Sequence, residues 1–120
     1  MIIAGFGFRV SATADSLADA LAQAAGGRRP DAFSTLVEKA DGLRAFADAR
    51  GMPLVTVSQT AAARQDTPTK SPASMQAKGL HSVAEACALA AAGDGAWLIA
   101  PRSTSDDGKA TCAIAQGPDT

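Results

Sequence analysis

Three places in the chain combine residue types able to do chemistry with a spacing that would bring them to one edge of a fold. The first is Gly5-Phe6-Gly7-Phe8-Arg9-Val10-Ser11-Ala12-Thr13. Glycines let a backbone approach a ligand, and the free amides at a helix start attract anions. Arg9 adds a planar cation that grips a carboxylate through paired hydrogen bonds, with Ser11 and Thr13 beside it. A plainer use of Gly5 and Gly7 is a tight turn and close helix packing. The third glycine of a dinucleotide fingerprint is absent, so nucleotide binding is not expected. The second place is Lys39-Ala40-Asp41, which follows a predicted strand, as Ser58 follows the next. In a parallel arrangement these residues line the same edge as Arg9, the edge at which open α/β sheets take ligands. A Lys-x-Asp there is equally a solvated lysine followed by a helix N-cap.

The third place is His81-Ser82-Val83-Ala84-Glu85. His81 is the only histidine, and a helix start would hold its imidazole neutral as a donor or base; the plainer reading is a surface histidine. Glu85 completes a capping box with Ser82, a role that accounts for it in full. Acid–base catalysis, on these residues, would fall to His81, Lys39 and Asp41. No Cys-x-x-Cys and no carboxylate cluster has metal-ligand spacing, so neither a metal nor another cofactor is expected. There is no Gly-x-Ser-x-Gly elbow, and Cys87 and Cys112 sit in apolar segments without a cationic neighbour, as reduced core residues. Arg28-Arg29 reads as solvated loop charge, and Lys70, Lys78, Arg102 and Lys109 fall in loops or turns.

The elements that must position these residues follow from periodicity. Residues 1–8 form an apolar run that reads as a buried strand ending in a glycine-rich turn. Thr13 caps a helix with Asp15 in its first turn and Leu17, Ala20, Leu21 and Ala24 on one stripe; Gly26-Gly27 stops it. A second strand is predicted over 33–37. A second helix follows, capped by Asp41, with Leu43, Phe46 and Ala47 on one face and Gly51 as its stop. Leu54–Val57 is a third strand, and Ser58 opens a short helix. Residues 65–72 have loop chemistry, and Ser71 would cap a short helix through Met75. Ser82 opens an alanine-rich helix, Val83 to Ala92, ended by Gly93; with Glu85 as its only charge it must be covered on most sides. Residues 96–100 and 110–115 are strands joined through Asp106-Asp107-Gly108, an antiparallel hairpin. The expected fold is a single α/β domain over 1–120, with a mixed, mostly parallel β-sheet, helices packed on its faces and a C-terminal antiparallel hairpin.

Composition narrows the function classes. The chain has 120 residues and a net charge of −1, so no broad field draws nucleic acid or an anionic membrane. Any anionic ligand must be held by a few local cations and amides. With four Phe, one Trp and no Tyr, the core must be built from small aliphatic residues, which lets helices lie close on a sheet. The start of the chain lacks the basic and long apolar regions of a signal peptide. No apolar run approaches the ~20 residues of a membrane span. The expectation is a soluble, cytoplasmic protein.

Taken in order, four blocks resemble a known family: the CobE proteins of aerobic cobalamin synthesis and the related C-terminal domain of CbiG. The blocks are Gly5-x-Gly7-x-Arg9 with Ser11 and Thr13; Glu38 to Leu43 continued by Arg50 to Leu54; Gly79 to Ala86; and Trp97 to Arg102 followed by Ala110 to Gln116. Phe8, Val10 and His81 depart from the shared pattern, which argues against a family-wide role for them. The resemblance implies an α/β fold and a role at the corrin-ring stage of vitamin B12 synthesis. The implied partner is a precorrin or corrin tetrapyrrole, an apolar ring rimmed by carboxylates, held by Gly5, Gly7, Arg9, Ser11, Thr13, Lys39, Ser58 and Ser82, with Phe6, Phe8, Phe33 and Trp97 as the few aromatics available for stacking. Two other readings stand beside binding. One is a hydrolase related to the lactone-opening, acetaldehyde-releasing step with which CbiG proteins are linked. The other is a non-enzymatic partner of a pathway enzyme, or a homodimer, joined through the alanine-rich helix.

Overall fold

The apolar runs and capped helices assemble around a five-stranded sheet of order β3-β2-β1-β5-β4. The strands are β1 (Ile2–Phe8), β2 (Ala32–Leu36), β3 (Leu54–Val57), β4 (Trp97–Thr104) and β5 (Ala110–Gln116). The helices are α1 (Ala14–Ala25), α2 (Ala40–Ala49), α3 (Gln59–Ala63) and α4 (Val83–Ala92). The computed structural model describes residues 1–70, Met75, Leu80 and 82–118; His81, Lys78 and most of the helix expected after Ser71 lie outside them. The first three strands run parallel, joined through helical crossovers, and β5 pairs antiparallel with both β1 and β4. The mixed α/β sheet and the C-terminal antiparallel pairing are as the sequence predicts.

Local chemistry explains most boundaries. Thr13 caps α1 by accepting from the Ser16 amide at 3.2 Å, and Ser16 Oγ accepts from the Thr13 amide at 3.1 Å, a reciprocal box with serine in the usual Glu/Gln place. Gly26 ends the helix in the left-handed conformation at φ 57°. Ser58 caps α3, and Ser82 caps α4 by accepting from the Glu85 amide at 3.3 Å. Three boundaries differ from expectation. β2 runs one residue earlier, over 32–36, and Val37 opens a 3-10 turn, Val37–Lys39, because its side chain has no core to enter and stands exposed. That turn moves the start of α2 back, so Asp41 lies inside its first turn and Lys39 takes the cap position, where its side chain does not cap the helix amides. β4 continues past Pro101 to Thr104, since it is an edge strand with register shifts on either side of Ala100 and proline costs no ladder bond at such a place.

Two cores lie on opposite faces of the sheet. On one, α1 and α2 close over Ala4, Phe6, Phe33, Cys112 and Ile114. Three of the four phenylalanines meet there: Phe6 lies edge-on to Phe33 and Phe46, with centroids at 5.0 and 6.0 Å, and Phe33 stacks on Phe46 at 5.6 Å. Each ring contributes about 1.5–3 kcal/mol by burial and somewhat more through pair geometry. Phe6 and Phe33 are therefore spent on the core and offer no face to a ligand. On the other side α4 crosses β1, β2 and β5, flanked by α3, with Ala86, Cys87, Leu36 and Val57 packed between.

The seat of α4 depends on glycine. A Cβ built on Gly5 would meet the carbonyl oxygen of Ala84 and lie 2.6 Å from the amide nitrogen of Ala88. Gly5 and Gly7 thus belong to β1 rather than to a turn, and the close approach they permit is that of a helix. The alanine-rich surface of α4, a candidate face for a second subunit, is covered mainly by the chain's own sheet, with Ala84 to Leu89 buried. Beside Gly5 on the same face, Ser34 Oγ is buried with no hydrogen-bond partner among the described residues.

Glu85 departs most from expectation. Its amide completes the Ser82 cap, but its carboxylate does not turn back to the cap. It accepts from the Thr69 amide at 3.0 Å, the Thr69 hydroxyl at 2.8 Å and the Arg102 amide at 2.8 Å. A fully buried carboxylate is tolerable only with such bonds, and the start of α4 adds favourable dipole charge. The three bonds tie the loop before α4 and the edge strand β4 to one side chain. Asp107 plays a smaller version of this part at the hairpin turn. It accepts from the hydroxyls of Ser105 and Ser16 and from the Lys109 amide, which hold its carboxyl down from 3.8 to about 2.

These contacts set three outcomes. Gly5→Ala should cost about 3 kcal/mol or prevent folding, because backbone cannot move aside as a side chain would; a urea melt within 1 kcal/mol of wild type would show that α4 can shift. Glu85→Ala should cost about 2–4 kcal/mol by leaving three donors without their charged acceptor, with Glu85→Gln falling between it and wild type in the same melts. Because the Asp107 carboxyl is depressed on folding, its stabilising contribution is complete above pH 3.8 and disappears as pH falls through about 2. Thermal melts of Asp107→Asn should therefore lie below wild type at neutral pH and converge with it in that acid window.

Candidate functional site

The carboxyl ends of the parallel strands bring most of the predicted residues to one edge, though not into one cluster. Arg9 leaves β1 with its amide tied to the Lys109 carbonyl at 2.9 Å, which fixes the backbone while the side chain stands in solvent. A turn closed by the Ala12 amide on the Arg9 carbonyl at 3.0 Å then exposes Val10 and Ser11 on the way to Thr13. Lys39 arrives from the 3-10 turn after β2, and its ammonium lies 5.2 Å from the centre of the Phe8 ring. That ring packs over Gly42, where an added Cβ would sit 2.7 Å from it. Lys39 thus lies against a half-buried Phe8, and the exposed Arg9 is the next residue along the chain.

The start of α4 comes to the same edge next to Gly7. An added Cβ on Gly7 would lie 3.3 Å from the Val83 Cβ, and Thr111 Oγ1 donates to the Gly7 carbonyl at 3.2 Å. Behind it lies the Glu85 carboxylate with Thr69 and Arg102. No expectation included this group, and the sequence carries no sign of it beyond the cap itself, since Thr69 and Arg102 are remote in the chain.

Several candidates are committed to structure. The hydroxyls of Thr13, Ser58 and Ser82 accept from helix amides, so they are caps before they are ligand groups. Asp41 is exposed and faces Arg44 across 4.0 Å on α2. A pair so open to water is worth at most ~1 kcal/mol. It lies beyond Lys39 along the chain, and His81 is outside the described residues. Burial alone pushes the Cys87 thiol up to about 12 and raises that of Cys112 as well, which keeps both protonated and unreactive at neutral pH. Trp97 is exposed but begins β4 opposite Gln116, at the other end of the sheet from Arg9. Among the described residues no group of three His, Cys, Asp or Glu side chains could hold a metal ion, and no helix is long and apolar enough to cross a membrane.

Chemically, this edge offers two cations, the loop backbone of 9–12 and an apolar ring beside Lys39. Such an arrangement can hold and orient an anion that has an apolar body. No pair of nucleophile and base within hydrogen-bonding reach occurs among the predicted residues described here.

The family model described as cobalamin synthesis G C-terminus matches residues 2–115. No curated protein sequence gives a significant match. Among solved structures, CobE, a protein from the cobalamin (vitamin B12) biosynthetic pathway, superposes with a TM-score of 0.83 at 30% identity, covering 96% of this chain and 89% of its own. The cobalamin biosynthesis protein chiG from Agrobacterium tumefaciens str. C58 does so at 0.75 and 32% identity, covering 99% of this chain and 100% of its own. A cobalamin biosynthesis protein G homolog from Sulfolobus solfataricus shares the fold at 0.68 and 19% identity, over 98% of this chain and 37% of that longer one. With the family model spanning nearly its whole length and two structural relatives of similar size at 30% identity or above, the chain belongs to the CobE/CbiG C-terminal family of cobalamin biosynthesis proteins.

Proposed function

We propose that this protein acts in the cytoplasm at the corrin-ring stage of cobalamin synthesis by binding a precorrin or corrin intermediate and presenting it to another pathway protein. Membership of the cobalamin family carries this reading. The carboxyl edge adds a chemical fit. Corrin intermediates are large apolar rings rimmed by carboxylates; Lys39 lies 5.2 Å from the centre of the Phe8 ring, and the exposed Arg9 follows Phe8 in the chain. Charge-assisted hydrogen bonds of about 1.5–3 kcal/mol each would orient such a ligand without a deep pocket. The commitment of Thr13, Ser58 and Ser82 to capping, and of Asp41 to a surface pair, supports binding over bond-making.

Titration of the purified protein with precorrins and with hydrogenobyrinic acid, followed by absorbance and product analysis, tests the proposal. Binding with the ligand recovered unchanged is expected, weakened at least tenfold in Arg9→Ala, Lys39→Ala. Release of acetaldehyde, or any conversion of the ring, would instead establish an enzyme. Equal affinity in wild type and the double variant would move the site away from this edge, and no binding to any intermediate would reject the reading.

A further inference from the structure

At the opposite edge of the sheet, three arginines meet around a cleft that no expectation included. The Gly26-Gly27 turn, with φ of 57° and 90°, wraps the chain off the end of α1 and delivers Arg28 and Arg29. Arg50 closes α2, its guanidinium 4.6 Å from the centre of the Phe46 ring. Between them lies a cleft of about 310 Å³ lined by Leu21, Pro30 and Met52, with Phe33 buried behind them. The chain carries 11 basic side chains against 12 acidic ones, so three cations at one cleft are a local concentration against the overall balance.

Helix C-termini attract cations through their exposed carbonyls, and this would account for one arginine at each helix end. It leaves a second arginine in the loop unexplained. Nor does it account for the partners: among the described residues the ion pairs are those of Arg44 and Lys70, and neither involves this cleft. Guanidinium groups around an apolar floor, without a carboxylate of their own, suit a ligand that brings the carboxylates. The volume stands at the low end for small-molecule sites, enough for one ring and its substituents rather than a whole macrocycle.

We infer that the Arg28–Arg29–Arg50 cleft is a second binding site, for an apolar ring bearing two carboxylates. The ring sits on Met52 and Leu21, with Phe33 buried beneath them, and the carboxylates take paired hydrogen bonds from the guanidinium groups. Two sources share that chemistry: a free single-ring dicarboxylate, and the rim of a carboxylated macrocycle seated by one of its rings. The site is independent of Arg9 and Lys39, which lie at the other ends of the strands.

Titration calorimetry with two probes, homophthalate for the single ring and uroporphyrin III for the macrocycle, tests this. At least one probe should bind wild type, with affinity falling as salt rises. Each of Arg28→Gln, Arg29→Gln and Arg50→Gln should weaken it, and the triple variant should weaken it at least tenfold. The same losses should appear when the arginine variants are made in an Arg9→Ala, Lys39→Ala background, which retains the cleft. The probe bound more tightly identifies the source. Because the arginines are exposed, the variants should keep the wild-type circular dichroism spectrum, and the single variants carry the test should the triple one fail to fold. No binding of either probe, equal binding in the arginine variants, loss of all probe binding in Arg9→Ala, Lys39→Ala, or equal binding of the cationic tetrakis(N-methylpyridinium)porphyrin would overturn the inference. Hydrogenobyrinic acid binding lost through Arg9 and Lys39 alone would reject the cleft for that ligand while upholding the carboxyl-edge reading, so the two proposals fail separately.

Discussion

The contact between the backbone of α4 and the bare Cα of Gly5 is the constraint on which the rest of the molecule depends. β1 is the central strand, paired on both sides, and α4 crosses it at a distance that only glycine allows. An alanine-rich helix complements that approach, since methyl groups fill a shallow gap where larger side chains would force the layers apart. The Ala113 and Ala115 positions of β5 are fully buried in the same sheet. The scarcity of aromatic residues is thus a structural requirement on this face, while three of the four phenylalanines gather on the other, under α1 and α2.

Seating α4 this way brings its N-terminus to the carboxyl edge of the sheet and with it the Glu85 carboxylate. One buried charge then organises two segments far apart in the chain, the loop at Thr69 and the strand at Arg102. Removing a carboxylate from water is costly, and the bonds that offset the cost are also what fix those segments. The edge that carries Arg9 and Lys39 is therefore backed by a hydrogen-bonded frame, in which side chains can stand in solvent without loss of position of their backbone.

The chain is nearly neutral overall, and its cations are distributed to the two ends of the strands. At the carboxyl end Lys39 lies against a half-buried phenylalanine beside Arg9; at the other end Arg28, Arg29 and Arg50 ring an apolar cleft. Both arrangements join cationic groups to apolar surface, the combination that a carboxylated ring requires, and neither places a nucleophile beside a base. Membership of the cobalamin biosynthesis family is what makes such a ring the ligand proposed for this protein.

What the sequence determined by itself is what short-range physics controls. The caps at Thr13, Ser58 and Ser82, the glycine stops, the apolar stripe of α1 and the hairpin turn at Asp106 to Gly108 all rest on contacts within about one helical turn or one hairpin, and each is legible as a local pattern. The alternation of elements added the mixed sheet, and the ordered blocks added the family. Tertiary structure decided whatever depended on burial from a distance. Val37 turned out of its strand because no core lay beneath it. Glu85 left its cap because Thr69 and Arg102 supplied donors that a window around Ser82 does not contain. Gly5 and Gly7 served a helix some eighty residues later in the chain, and Arg50 joined Arg28 and Arg29 only because α1 and α2 end on the same side of β2. A cap is an interaction between neighbours in the chain; a seat, a buried charge or a cleft is made by residues that only the folded path brings together.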